Sequence, residues 1–362
     1  MAPGSDAGPA PWLAADTERA LSLARASFAA AAARAARHTV DVDFGGARLR
    51  LELAGDAARA TFATALEAAP ADGRAPDLTI LAWDAAHGAP LAPPEPDREA
   101  PIQVGRHYAT GGGEVDGHAR RCVFWEPPWI YGYDLGERVA WFHCPDAGGM
   151  PAWSRSQPFL RLLHAWLRTR GRLVAHGAVI GRGGRGLLLT APGGSGKSSL
   201  AIAGKLAGWD YLGDDYVAVA PPGEDGGPAR AFGLYRVAKL EPTHLAARLP
   251  AAGAYALDAP REGEKVLLSL PLTPAPGGLP LAAVIVPRVA AASALRRIGG
   301  GEALRALAPS TLMQLPGDGA RDFAALARVL RGLPAYHLDI GPRPAEALAL
   351  LAPLLAVPEA GT

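Results

Sequence analysis

The segment from Ala191 to Ser198 contains the residues of this sequence that are best suited to chemistry on a phosphate group. It has the sequence APGGSGKS and lies between an apolar run, GLLLT, and a segment typical of a helix, SSLAIAGKLA. Glycines let consecutive backbone N–H groups approach phosphate oxygens, and a helix N-terminus adds partial positive charge. Lys197 would reach the β- and γ-phosphates, and the Ser198 hydroxyl would bind Mg²⁺. The alternative is a glycine-rich strand-to-helix turn without a ligand.

The loop and the start of the helix are therefore expected to bind ATP, with Mg²⁺ as the second cofactor. The expected ATP-binding residues are Ala191, Pro192, Gly193, Gly194, Ser195, Gly196, Lys197, Ser198 and Ser199. Ala191 stands where the usual pattern begins with a glycine.

Asp214 and Asp215 follow Lys197 by only 17 and 18 positions. The helix that begins near Lys197 runs about ten residues to Gly208, so it travels about 15 Å away from the loop. The strand Trp209–Gly213 returns about 16 Å in five residues. In a right-handed strand–helix–strand unit, both aspartates then lie beside the loop. A carboxylate there can hold Mg²⁺ or accept a proton from an attacking hydroxyl, unless the pair only caps a strand.

His176-Gly177 ends an apolar run, LVAHG, just before the strand that leads into the loop. Alone, a histidine beside such a run is more often a packed core residue than a functional one. In order and spacing, His176-Gly177, the loop, Gly208 and Asp214-Asp215 together resemble the catalytic domain of HPr kinase/phosphorylase and its HPr-kinase-like relatives. The resemblance covers about residues 172–220, continues weakly to about residue 340, and does not extend to the first 150 residues. It implies an α/β P-loop kinase domain of the HPr kinase/PEP carboxykinase-like type.

The resemblance also implies a role for each matching residue. Lys197 and Ser198 would bind the ATP phosphates and Mg²⁺, with Asp214 as a second metal ligand. Asp215 would be the base that deprotonates the acceptor hydroxyl, which requires a carboxylate that is ionised and still basic enough to accept a proton. His176 would orient the phosphoryl group or Asp215. The implied catalytic residues are therefore Asp215, His176 and Lys197.

Two features of the family have no clear counterpart here. Glu241, in VAKLEPT, is the nearest candidate for the family's glutamate, with a solvated helix start as the alternative. Arg261 and Lys265, in REGEKVLLSLP, are candidates for the basic loop used in phosphorolysis, with exposed charges before a strand as the alternative. We therefore expect neither phosphorylase activity nor HPr as the substrate. Truncated relatives phosphorylate other hydroxyls, including serines of small modified peptides, and this chain looks more like them.

Composition limits the classes of protein that this chain can represent. With 362 residues, 49% of them apolar, the chain can bury a sizeable core and is long enough for about two domains. Lys and Arg (36) balance Asp and Glu (35), which removes the electrostatic basis for a nucleic-acid binder.

Cys122 and Cys144 lack metal or redox spacing, which favours a reducing compartment. The most apolar stretch, 345–357, is too short to span a membrane, and the N-terminus lacks a secretory pattern. We expect a cytoplasmic protein without nucleic-acid or membrane partners.

The chain divides into three expected parts: a flexible tail at 1–15, an α+β N-terminal domain at 16–155 and the P-loop domain at 156–362. The N-terminal domain is expected to contain a helix from Asp16 or Thr17, a hairpin around Gly45-Gly46, and a proline-rich loop at 88–101. Leucines alternating with charged residues in ARLRLEL predict one buried face. In the second part we expect a helix over 157–170, followed by single strands for LVAHGAVI and WDYLGDDYVAVA.

The function that these patterns favour is transfer of the γ-phosphoryl group of ATP to a hydroxyl, serine in a protein or peptide. A second reading is a non-catalytic ATP sensor that acts on a partner through the chemically silent first half. A third is a small-molecule kinase or another P-loop ATPase, which lacks support because the later strand AVIVPRV carries no acidic residue. Homo-oligomers are compatible with the family resemblance, since the HPr-specific relatives form hexamers.

Overall fold

A computed structural model describes residues 17–87, 91, 108–224, 226–260, 263–315 and 319–356. The expected tail at 1–15, Asp16, most of the proline-rich segment 88–101, and Arg261 lie outside these residues. Within the described part, every helix is too short or too polar to cross a membrane.

The first half of the chain forms a mixed sheet with the strand order β3-β1-β2-β4-β8-β7-β6-β5. The strands are β1 (Arg37–Phe44), β2 (Ala47–Ala54), β3 (Glu67–Ala68), β4 (Leu78–Asp84), β5 (Tyr108–Val115), β6 (His118–Glu126), β7 (Trp129–Asp134) and β8 (Val139–Cys144). The β2–β4 and β4–β8 pairs are parallel and the others are antiparallel. Helix α1 (Thr17–Ala32) packs on one face, against Trp83 and Trp141, and α2 (Asp56–Ala63) packs on the other.

The hairpin of β1 and β2 forms as the alternation predicts. Gly45 and Gly46 both have positive φ, 59° and 78°, which suits the two-residue turn of a right-twisted hairpin. The leucines of β2 lie in the core, so the prediction of one apolar face is confirmed. Arg48, which alternation places on the polar face, is nevertheless only 3% exposed. Its guanidinium contacts Asp43 at 3.1 Å and Asp72 at 3.0 Å, and this pairing makes its burial tolerable.

The second half contains a larger mixed sheet with the order β12-β10-β11-β17-β14-β13-β9, in which β19 also pairs with β17 and β18 with β19. Its strands are β9 (Leu173–His176), β10 (Ala178–Arg182), β11 (Arg185–Leu189), β12 (Asp210–Gly213), β13 (Tyr216–Ala220), β14 (Arg230–Phe232), β17 (Leu279–Val289), β18 (Ala294–Ile298) and β19 (Ala335–Ile340). Strands β15 (Val237–Leu240) and β16 (Val266–Ser269) form a separate ribbon. The central strands β11, β17 and β19 are parallel to one another.

The second half also contains helices. They are α3 (Ala152–Arg155), α4 (Leu160–Arg168), α5 (Lys197–Leu206), α6 (Pro242–Arg248), α7 (Gly300–Leu312), α8 (Gly319–Leu330) and α9 (Pro344–Leu351). Short 3₁₀ turns cover Pro250–Tyr255 and Ala352–Leu355. Helices pack on both faces of the larger sheet.

Three predicted elements are wrong in their extent. The helix expected over 157–170 begins only at Leu160, because Phe159 at its start has a left-handed φ of 60° that a continuing helix excludes. LVAHGAVI forms two strands that separate at Gly177, whose N–H donates to Asp215 O at 2.9 Å. WDYLGDDYVAVA is likewise split into β12 and β13 at Asp214-Asp215. In each strand pair the break lies at a residue of the expected site.

The two sheets share one continuous core. The turn between β1 and β2 inserts into the second half, where the Gly45 N–H donates to Gly233 O at 2.8 Å. Phe44 packs edge-on against Tyr235, with ring centroids 5.2 Å apart. The domain boundary expected at residue 155 stays a prediction, since residues on both sides of it contribute to this core.

Replacing Gly46 by alanine tests how tightly this turn is held by the second half. A Cβ at Gly46 would lie 2.7 Å from Phe232 Cδ1, whereas Gly73, with a similar φ of 73°, has no atom within 4 Å of an added Cβ. Gly73→Ala should therefore cost only about 1–2 kcal/mol of backbone strain. Gly46→Ala should cost about 1–3 kcal/mol more, from overpacking. Urea unfolding of both variants measures the difference, and equal losses would contradict the docking of the turn.

Candidate functional site

The glycine-rich loop connects the buried strand β11 to helix α5, as the sequence predicts. Gly193 and Gly194 are exposed, and Gly194 and Gly196 have positive φ of 78° and 91°. A Cβ on Gly196 would also lie 3.1 Å from Ile340 Cδ1, so glycine is required there for both reasons. The loop therefore leaves its backbone accessible along its exposed part.

Helix α5 begins at the loop and ends at the predicted glycine. Among the described residues, no side chain caps its N-terminus, where Gly196 is the N-cap. The Trp209 N–H donates to Gly204 O at 2.9 Å and the Gly208 N–H donates to Lys205 O at 3.0 Å. These two bonds are a Schellman ending, which reverses the chain into β12. Because no described side chain caps the N-terminus, the backbone N–H groups of the first turn of α5 are available to an anion.

Lys197 lies beneath the loop rather than in solvent. It is 6% exposed, and its Nζ donates to Ala191 O and, at 3.1 Å, to Pro192 O. Burial lowers the pKa of this ammonium, while the charges of Asp214 and Asp215 oppose that shift. The ammonium is therefore already positioned within the loop by its carbonyl groups.

The structure brings Asp214 and Asp215 to the same cleft as the loop. Strand β12, which ends just before them, is separated from β11 by β10, and both pairings with β10 are antiparallel. Strands β12 and β11 therefore run in the same direction, so their ends meet at one edge of the sheet. Asp215 borders an open cleft of about 650 Å³ that the loop also lines, and Asp214 is buried beneath it, 1% exposed.

Asp215 is held by two cationic or polar partners. Lys239 Nζ lies 2.6 Å from Asp215 Oδ2, and His176 Nε2 lies 3.8 Å from Asp215 Oδ1. Burial raises the pKa of Asp215, but the contact with His176 and the charge of Lys239 outweigh it and hold the pKa well below its usual range. The side chain is 27% exposed and its backbone φ is 67°, a left-handed conformation uncommon for aspartate. The carboxylate is thus ionised, oriented and accessible from the cleft.

His176 reaches Asp215 from β9 because His176 and Tyr216 are paired in register across β9 and β13. Its backbone N–H donates to Thr311 Oγ1 at 3.0 Å, and its ring lies 5.5 Å from that of Tyr216. Its Nδ1 is buried and has no hydrogen-bond partner within the described residues. The imidazole is therefore fixed by packing, with Nε2 facing Asp215.

Asp214 has the opposite environment. Both of its carboxylate oxygens are buried, and no group within the described ranges bonds them with hydrogen-bond geometry. Burial and the charge of Asp215 raise the pKa of Asp214 to about 6, although the Ser198 hydroxyl and Lys197 act against the increase. A buried carboxylate without a partner is costly, and a bound cation would remove that cost.

The side-chain oxygens of Asp214 and Ser198 fit Mg²⁺ that is bound together with a nucleotide. The described residues contain no group of three or more His, Cys, Asp or Glu side chains that could hold a metal. Mg²⁺, however, is usually bound by one or two protein oxygens, with substrate phosphates and water as the remaining ligands. Asp214 and Ser198 therefore fit a metal that arrives with a nucleotide rather than a metal held by the protein alone.

Glu241 and Lys265 line the cleft at exposed positions, as a solvated helix start and an exposed charge before a strand would. Glu241 directly precedes α6, the helix start that was expected, and its side chain is 60% exposed. Lys265 Nζ lies 3.5 Å from Glu241 Oε1 and is 52% exposed. Within the described residues, neither side chain bonds to Asp214, and the nearby cation that contacts Asp215 is Lys239.

Sequence reasoning missed two residues of this cleft. Lys239 lies in β15, a strand that pairs only with β16, and its contact with Asp215 joins positions 24 residues apart. The only sequence signal was its place two residues before Glu241. His244, in α6, shares a hydrogen bond with Ser199 Oγ at 2.8 Å, which ties α6 to the first turn of α5.

Comparison with protein-family models and with curated proteins finds no match for this chain. The resemblance to HPr-kinase-like enzymes over residues 172–220 therefore stays a prediction, and the function must be inferred from the cleft.

Replacing Asp214 by asparagine tests the buried carboxylate. Because its pKa is raised above the unfolded value near 3.9, the folded state binds the proton more tightly, and stability is lost as pH rises from about 4 to 6. Asp214→Asn should therefore raise the free energy of unfolding by about 1–3 kcal/mol at pH 8 and change it little at pH 4. Denaturant unfolding at both pH values, in a chelator, measures this.

Asp215→Asn is the matched control and should have the opposite sign. Its carboxyl pKa is lowered, so its stabilising contribution is present above pH 4 and absent below the folded pKa. A loss of stability at pH 8 in both variants would show that Asp214 is not an unpaired buried charge.

Proposed function

We propose that this chain is an ATP- and Mg²⁺-dependent kinase with a P-loop domain of the HPr-kinase-like type, which transfers the γ-phosphoryl group to a hydroxyl, serine in a peptide or protein. The observation that carries the proposal is the position of Asp215. An ionised, oriented and partly exposed carboxylate borders the same cleft as an accessible glycine-rich loop and its lysine. Phosphoryl transfer to a hydroxyl needs these groups at one place.

The donor side of the reaction is supported by the loop and by the start of α5. Backbone N–H groups of the loop and of the uncapped helix N-terminus would bind the phosphate oxygens of ATP. Lys197, already held beside Ala191 and Pro192, would exchange a carbonyl partner for a phosphate oxygen. Mg²⁺, held by Ser198 and Asp214, would supply charge neutralisation at the β- and γ-phosphates when bound.

The acceptor side is supported by Asp215. Its carboxylate would accept the hydroxyl proton as the acceptor oxygen bonds to the γ-phosphorus and the bond to the β-phosphate oxygen breaks, releasing ADP. The lowered pKa keeps Asp215 ionised at neutral pH but makes it less basic than the sequence-based expectation requires, so its role in this scheme depends on positioning in a loose transition state rather than on basicity. His176 and Lys239 are positioning residues in this scheme, since both contact Asp215.

A non-catalytic ATP sensor is the second candidate, and one observation favours it. Tyr216, the residue after Asp215, belongs to the core that the second sheet shares with the first. A change at the aspartates on nucleotide binding would therefore reach the first sheet through packed side chains. This candidate predicts ATP binding without transfer.

Transfer of labelled γ-phosphate into an extract of the source organism tests the catalytic proposal. Wild-type protein with ATP and Mg²⁺ should label a protein or peptide, and Asp215→Asn should lower the rate by about 10²- to 10⁴-fold, the usual contribution of a positioned base. Full transfer by Asp215→Asn would show that the base is misassigned. Normal ATP binding without any labelled product would favour the sensor.

Stabilisation by Mg-ATP tests the binding step alone. A ligand that binds only the folded state at 100-fold excess over its Kd should raise the free energy of unfolding by about 2.7 kcal/mol. Lys197→Ala should abolish this increase, whereas Lys205→Ala, at the far end of α5, should keep it. Thermal unfolding with and without Mg-ATP measures the shift, and its absence in the wild type would count against nucleotide binding.

A further inference from the structure

The cleft beside the loop has two chemically different flanks. The sheet order places β10 and β12, with the two aspartates, on one side of β11, and β17 and β19 on the other. On the second side the cleft is lined by Val289, Ala290, Ala291, Ile340, Gly341 and Pro342. None of these six side chains can donate or accept a hydrogen bond.

This apolar flank begins where the loop ends. Val289 and Ile340 are paired in register at the ends of β17 and β19. A Cβ placed on Gly196 would lie 3.5 Å from Val289 Cγ2 and 3.1 Å from Ile340 Cδ1, so both side chains are in contact range of the last glycine of the loop. Val289 is 69% exposed, so its apolar surface is available to a ligand in the cleft.

Two backbone N–H groups of the same flank are already engaged in hydrogen bonds within the protein. The Ala290 N–H donates to Ile340 O at 2.9 Å, and the Gly341 N–H donates to Ser293 Oγ at 3.1 Å. A ligand at this surface would therefore be bound by apolar contact and ring stacking on Val289 and Pro342 rather than by hydrogen bonds to these groups.

We infer that this flank is the subsite for the nucleotide base, and that it accepts adenine and guanine nucleotides with less than about 100-fold preference between them. The inference rests on the proposed binding of a triphosphate at the loop. If the γ-phosphate is directed to Asp215, the other end of the triphosphate leaves the loop on the side of β17 and β19, where Val289 and Ile340 lie. A base needs a flat apolar surface there, and this one offers no side-chain groups that distinguish adenine from guanine.

The flank of the cleft on the side of the aspartates suits a polar acceptor better than it suits a nucleotide base. It carries Lys239, Glu241, Arg248 and Lys265 along the same cleft. Burying a base against these charged side chains would require desolvation of the Lys239–Asp215 and Lys265–Glu241 ion pairs. The two flanks therefore separate donor and acceptor around the loop.

Binding of three Mg²⁺ complexes to the wild-type chain and two variants tests the inference. The probes are ATP, GTP and inorganic triphosphate, which lacks a base. Val289→Asn removes apolar surface at an exposed site without adding charge, and Leu23→Asn, an equally uncharged change at a 51% exposed leucine of α1, is the control. Isothermal titration gives each Kd, and far-UV circular dichroism confirms folding.

In the wild type, Kd values for ATP and GTP should agree within about 100-fold, the range that apolar pockets can discriminate. Val289→Asn should weaken ATP and GTP by a similar factor, about threefold to tenfold, while triphosphate binding stays unchanged. Leu23→Asn should match the wild type with all three probes.

Two results would overturn the inference and leave the proposed function standing. One is a preference for one nucleotide above about 100-fold, which requires specific hydrogen bonds to the base. The other is unchanged ATP and GTP binding in Val289→Asn while triphosphate also binds normally. Failure of the wild type to bind either ATP or triphosphate would instead overturn the proposed function together with the inference.

Discussion

Two adjacent carboxylates next to a buried lysine are the constraint on which the rest of this structure depends. Asp214 and Asp215 repel each other, and Asp214 is buried while Asp215 borders the open cleft. The left-handed backbone at Asp215 turns its side chain toward Lys239 and His176, while Asp214 stays buried without a hydrogen-bond partner among the residues that the structure describes. Asp215 is thus held as an anion by its partners. Asp214 lacks a partner for its negative charge, and a bound cation would supply one.

The fold places the side chains around Asp214 and Asp215 by bringing elements that are distant in sequence to one edge of a sheet. Strand β9 supplies His176, β15 supplies Lys239, and the first turn of α5 supplies Lys197. Insertion of β10 between β11 and β12 sets the spacing between the loop and the aspartates. Strands β17 and β19, on the other side of β11, complete the cleft with an apolar surface, so charge and apolarity are separated by the loop.

How much of this was predictable differs by residue. The loop, helix α5 and its end at Gly208 follow from local patterns, and the return of Asp214-Asp215 to the loop follows from the length of the helix and strand between them. The breaks at Gly177 and at the aspartates were missed, because the strands on both sides of each break belong to one antiparallel pairing, with Tyr216 opposite His176 and Gly213 opposite Val179, so the residues on either side have the pattern of a single strand. Lys239 was missed because nothing within its own strand indicates which distant carboxylate it will face.

The sequence by itself determined the features that depend on neighbours within a few residues: the turn at Gly45-Gly46, the buried leucines of β2, and the glycine-rich loop at the start of a helix. The tertiary structure alone decided which carboxylate is paired and which is not, why Arg48 can be buried, and which flank of the cleft is apolar. The physical reason is that desolvation and Coulomb energy depend on distances between groups far apart in the chain. Backbone preference and apolar periodicity, in contrast, are local properties.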